Sequence, residues 1–134
     1  MVAQSHGSNL RMRALRILCA DDDPFFREVM DRVFSSAGHS VECVGNGTAA
    51  WKRMSPDLAR FEVLVTGHRM PGIGGLALVG LLRQANYRGQ IIVHSSTLTA
   101  QETASYRALG VGSIVVKSTH AEKLLNILEA FIVS

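Results

Sequence analysis

Apolar residues gather in five short runs, at 15–20 (LRILCA), 40–45 (SVECVG), 61–66 (FEVLVT), 90–95 (QIIVHS) and 113–117 (SIVVK). They are short and rich in Val and Ile, as strands buried in a parallel sheet are. Between them the apolar spacing changes to three and four, the period of a helix with one buried face. Asp23 can cap the first helix and Pro24 suits its first position; Phe26, Val29, Met30, Val33 and Phe34 form its stripe, and Gly38 stops it. A second helix starts near 46–48 and carries Ala49, Ala50, Trp51 and Met54, with Pro56 beyond. A third is predicted over 75–87, with Leu78, Val79 and Leu82 on one face. Thr99 and Glu102 form a capping box for a fourth that ends at Gly110. Thr119 and Glu122 form another for a fifth, which carries Leu124, Leu125, Ile127, Leu128, Phe131 and Ile132. Five βα units favour an α/β fold: an open, doubly wound parallel sheet with helices on both faces. They are too few for an eight-stranded barrel.

At 134 residues the chain makes one domain. Residues 1–13 (MVAQSHGSNLRMR) have no apolar core and read as a flexible tail, leaving 14–134 as the folded domain. No apolar run approaches the roughly 18–20 residues of a membrane span, so no membrane partner is expected. The net charge is +3, and removing Arg11 and Arg13 of the tail leaves +1. That balance, without basic residues clustered on one face, argues against nucleic acid as a partner. Cys19 and Cys43 sit in strand-like runs, with no CxxC, and read as buried thiols of a cytoplasmic protein.

In a sheet of this kind, ligands bind at the carboxyl ends of the strands. Those ends bring Asp21, Asp22 and Asp23 from the first strand, and Thr66, Gly67 and His68 from the third. The fourth adds His94, Ser95 and Ser96, and the fifth adds Lys117. Clustered carboxylates resist ionising together unless a cation is near. Mg²⁺ suits one or two of them, plus water and phosphate oxygens, and a hydroxyl and an ammonium opposite would hold phosphate oxygens. The rim reads as a Mg²⁺-assisted phosphoryl site without a nucleophile. Asp23 reads as a helix cap rather than a ligand, and His68 and His94 as locally hydrogen-bonded residues.

Read together and in order, RILCADDDPFFREVM, VLVTGHRMPGIGGLALV, IIVHSS and SIVVKS resemble the response-regulator receiver (CheY-like) domain of bacterial two-component signalling. The resemblance covers about residues 14–133. It implies a flavodoxin-like (βα)5 fold with strand order 2-1-3-4-5. It implies that Asp21 and Asp22 bind Mg²⁺ together with the backbone carbonyl of Arg69. By the same likeness, Ser95 contacts the phosphoryl group and shifts on activation, and Lys117 pairs with the acceptor or its phosphoryl group.

The family's phosphorylated aspartate stands three residues before the Met of MPG, and that position is Gly67 here. Gly74, Ile114 and Ser118 also depart from the family, at positions where an acid, an aromatic switch residue and a Pro are usual. Without a carboxylate, no acyl phosphate can form at 67, and Mg²⁺ binding should weaken. Two readings stay open: a natural degenerate receiver that signals by binding partners, or a working receiver disabled by an introduced substitution. In either, a stand-alone module is expected that is not an enzyme. Its partner would be a sensor histidine kinase or a downstream signalling protein, and residues 99–133 could form a homodimer contact. A P-loop, GxGxxG and a phosphate-cradling first loop are all absent, which argues against a nucleotide hydrolase, a dehydrogenase and a flavin carrier.

Overall fold

The computed structural model describes residues 13–117 and 122–133. Five strands, β1 (Arg16–Ala20), β2 (Ser40–Val44), β3 (Val63–Thr66), β4 (Gln90–Ser95) and β5 (Ser113–Val116), form one sheet in the order β2-β1-β3-β4-β5. Every pairing is parallel. Helices α1 (Pro24–Ser36), α2 (Gly47–Met54), α3 (Gly75–Gln84), α4 (Ala100–Ala108) and α5 (Glu122–Val133) connect and follow the strands. This is the doubly wound arrangement that the run-and-stripe pattern predicts.

Alternation along the strands divides the core between the two faces. Ile17, Cys19, Val63, Val65 and Ile92 meet Met30 and Phe34 of α1 and Leu124 and Leu128 of α5. Leu18, Ala20, Leu64 and Val93 meet Ala50 and Met54 of α2, Leu78, Val79 and Leu82 of α3 and Tyr106 of α4.

The caps explain where the helices begin. The Asp23 carboxylate accepts from Phe25 N at 2.9 Å, and Asn46 accepts from Ala49 N at 2.7 Å. Thr99 and Glu102 close the capping box from both sides. The box expected at Thr119 lies outside the described residues.

Among the boundaries that differ from the sequence expectation, three have a cause in the packing. Helix α3 stops at Gln84 rather than 87, because Asn86 turns left-handed (φ 64°) and Tyr87 leaves to give its hydroxyl to the Phe61 carbonyl at 2.8 Å. Strand β3 starts at Val63 rather than 61, because a 3₁₀ turn over Leu58–Arg60 uses the preceding chain. Arg13, assigned to the tail from the sequence, donates to Glu62 at 2.6 Å.

Candidate functional site

Asp21 follows β1 directly, and its N–H continues the sheet to Val44 O at 3.1 Å. Its carboxylate is fully buried. A bare carboxylate there would carry a large desolvation cost. Lys117, just past β5, places Nζ 3.0 Å from each of its oxygens. The Lys117 side chain is only 13% exposed, and its ammonium lies 4.8 Å from the centre of the Phe26 ring. The Asp23 N–H adds a bond to Asp21 at 2.9 Å. The two residues that the sequence placed on opposite sides of the rim are therefore one buried ion pair. Asp22 is exposed instead, and the Asp23 carboxylate is the α1 cap.

Ser95 ends β4 almost fully buried; its hydroxyl donates to Thr97 O at 3.1 Å, and its carbonyl accepts the Lys117 N–H at 2.8 Å. Asp22, His68, Arg69, Ser95, Ser96 and Lys117 line one cleft of about 430 Å³. A cleft of about 490 Å³ opens at the other ends of the strands, by Arg13, Phe61 and Tyr87. Of the titratable groups argued from sequence, Asp22, Asp23, His68 and Lys117 line the first.

Gly67 is buried, and its N–H donates to Ala20 O at 2.8 Å. Its φ is not left-handed, and an added Cβ would meet Ala20 O at 3.6 Å and Met70 at 3.7 Å, ordinary contacts. Nothing in the backbone or the packing here requires glycine. Gly75 is different. A Cβ there would come within 2.2 Å of the Gly67 carbonyl, so the start of α3 can approach this loop only without a side chain.

The next residue, His68, is held on both ring nitrogens. Nδ1 lies 2.5 Å from the Tyr106 hydroxyl and Nε2 lies 3.0 Å from Glu102 Oε2. A carboxylate can only accept, so Nε2 donates to Glu102, and Nδ1 shares the second bond with the Tyr106 hydroxyl. Arg69 reaches Thr97 O at 3.2 Å and Glu102 at 3.5 Å. The loop after β3 is thus tied at several points to α4. The Thr99 N–H, then His68, hold the Glu102 carboxyl down at about 2. Burial pushes the Tyr106 hydroxyl up. The sequence signals both Glu102, as a capping residue, and His68, as locally bonded, but nothing local marks Tyr106 as their partner.

His94, on β4, departs from expectation. Its Nδ1 has no partner, its ring packs edge-on against Phe26 at 5.4 Å, and burial pushes it down to about 4. The donors for a divalent ion are few. Asp21 is engaged by Lys117, Gly67 offers no side chain, and among the described residues no group of three acidic, His or Cys side chains could hold a metal. Asp22 alone presents a free carboxylate to the cleft, which is short of a built Mg²⁺ site. No helix among the described residues is long and apolar enough to cross a membrane.

Comparison with known proteins agrees with this architecture. Sensory/regulatory protein RpfC of Xanthomonas campestris is 29% identical over 128 residues, 92% of this chain and 17% of that protein. Response regulator MprA of Mycobacterium leprae is 35% identical over 97 residues, 72% of this chain and 40% of that one. The chain therefore spans less than half the length of these relatives. Among solved structures, chemotaxis response regulator CheY4 of Vibrio cholerae superposes with a TM-score of 0.78 at 25% identity, covering 88% of this chain and 98% of that one. Response regulator TrrA of Thermotoga maritima, in complex with Mg²⁺-BeF, shares the fold at 24% identity, with a TM-score of 0.75 over 87% of this chain and 97% of that one. Residues 17–129 match the response regulator receiver domain. The chain belongs to that family, the receiver module of two-component phosphorelay signalling.

Proposed function

We propose that this receiver works through protein–protein interaction and is not phosphorylated at the family's acceptor position, because that position is Gly67. It is not an enzyme in this reading, since self-phosphorylation from a phosphodonor needs the missing carboxylate. One observation carries the proposal: the loop that should receive the phosphoryl group has no carboxylate at 67, and its next residue is already bonded to α4. The position of α4 is then set by His68, Tyr106 and Glu102 rather than by a phosphoryl group. The hydroxyl of Ser95, the residue matched to the phosphoryl contact, is likewise spent on Thr97 O. Mg²⁺ binding at Asp21, Asp22 and the Arg69 carbonyl is weak, because position 67 offers no anionic ligand and Asp21 is paired with Lys117. Partners are a sensor histidine kinase or a downstream signalling protein in the cytoplasm. A homodimer through residues 99–133 is a further expected contact, and residues 118–121 of that span lie outside the described residues.

A second reading has support of its own. Position 67 has ordinary backbone and room for a Cβ, and the Asp21–Lys117 pair is intact. That is what a working receiver disabled by a single Asp-to-Gly substitution would retain. The test is to record amide NMR shifts of α4 on adding Mg²⁺ and beryllofluoride, a phosphoryl mimic. The proposal expects no shift in the chain as it stands. A saturable shift across α4 would overturn it.

A further inference from the structure

We propose that Cys19 and Cys43 form a redox-active dithiol, a modification site that closes to an intramolecular disulfide under a peroxide. They are the chain's only two cysteines, and they stand opposite each other in the β1–β2 register. Both side chains belong to the core on the α1 and α5 face, so they project to the same side. Hydrogen-bonded neighbouring strands run about 4.7–4.9 Å apart, inside the roughly 4.4–6.8 Å Cα separation that a disulfide bridges.

Exposure gives the two thiols different roles. Cys19 is fully buried on β1, whereas Cys43 is half-buried on the edge strand β2, so an oxidant from solvent meets Cys43 first. The sequence reading of two buried thiols holds for Cys19, whereas Cys43 is only half-buried. Cys43, which the oxidant reaches first, is the attacking thiol and Cys19 the resolving thiol.

The chemistry balances with hydrogen peroxide as the oxidant. The Cys43 sulfur attacks one peroxide oxygen, the O–O bond breaks, and the other oxygen leaves as water, giving a sulfenic acid. The Cys19 sulfur then attacks the Cys43 sulfur, the S–O bond breaks, and the hydroxyl leaves as water with the Cys19 proton. Two thiols and one peroxide become one disulfide and two waters. Side chains of in-register neighbours stand farther apart than the roughly 3.8 Å Cβ separation of a relaxed disulfide. The bond is therefore strained and readily reversed by a thiol reductant.

The pair adjoins the rim. Cys43 Sγ lies 3.6 Å from the Arg27 carbonyl, and Arg27 Nη1 donates to the Asp21 carbonyl at 2.8 Å. Oxidation removes the Cys43 S–H donor and pulls on β1 two residues before Asp21.

The test treats the reduced full chain with one equivalent of hydrogen peroxide, then alkylates it in denaturant and measures intact mass. The expected product is a monomer that has lost about 2 Da and takes up no alkylating agent, with both thiols recovered by dithiothreitol. Cys19→Ala should stop at a sulfenic acid trappable by dimedone, and Cys43→Ser should leave Cys19 unreacted. A wild-type chain that adds oxygen at Cys43 while Cys19 still alkylates overturns the proposal. So does a disulfide found only between two chains, or no reaction.

Discussion

Replacing His68 by Ala should reveal how firmly the loop after β3 is joined to α4. The variant strands the Tyr106 hydroxyl in a residue with no exposed surface. An orphaned buried hydroxyl costs about 1–3 kcal/mol, and the lost ring leaves a gap beside it, so a loss of about 2–3 kcal/mol is expected. Tyr106→Phe removes the hydroxyl and orphans only Nδ1 of His68, whose side chain is 10% exposed, for about 1–2 kcal/mol. Each change removes the same bond, so the double variant should lose less than the sum, with a coupling of about 1 kcal/mol, the usual net worth of one such bond. The assay is urea unfolding followed by circular dichroism on all four proteins, with equal m-values required. In thermal unfolding each kcal/mol should appear as about 3–5 °C for a domain of this size. Additivity within about 0.3–0.5 kcal/mol would refute the reasoning. The ring and the hydroxyl would then be neighbours without being energetically joined.

Three further outcomes follow from the same geometry. Lys117→Met leaves the fully buried Asp21 without its cation, and equilibrium unfolding should show a loss of about 3–5 kcal/mol; a loss under about 1 kcal/mol would mean that Asp21 is neutral or solvated. Gly67→Ala places a methyl in ordinary contact at 3.6–3.7 Å with no left-handed φ, so it should stabilise by about 0.5–1 kcal/mol; destabilisation would show that the space is not there. His94 sits at about 4 when folded, because of burial, against an ordinary 6.5. Its folded value is depressed, so its contribution is complete above about 6.5 and falls away as pH drops towards about 4, by up to about 3 kcal/mol. His94→Leu should flatten that part of the stability–pH curve. The slope that His39 adds below about 6.5 through its own burial should remain, and an unchanged slope in the variant would contradict the assignment.

The strands were legible because buried parallel strands must be apolar on both faces, and Val63, Leu64 and Val65 are; their order came only from the resemblance to the receiver family. The helix starts were legible because capping is local: Asp23, Asn46 and Thr99 each bond within three residues. The end of α3 was not, because it depends on Tyr87 finding the Phe61 carbonyl across the fold. The rim residues could be gathered from strand ends alone, but their partners could not. Asp21 and Lys117 are 96 residues apart. The His68–Tyr106 bond spans 38 residues, and no periodicity points to it. Cys43 reads as a core residue from its run, yet it is only half-buried because β2 lies at the sheet edge.

The most direct measurement is the intact mass of the chain after incubation with Mg²⁺ and acetyl phosphate, beside a Gly67→Asp variant. The account predicts that the chain as it stands stays unmodified, and that a labile phosphoryl group appears only where the carboxylate has been supplied. A phosphoryl group on the unaltered chain would contradict it and direct attention to His68, the nearest side chain in the loop able to accept one.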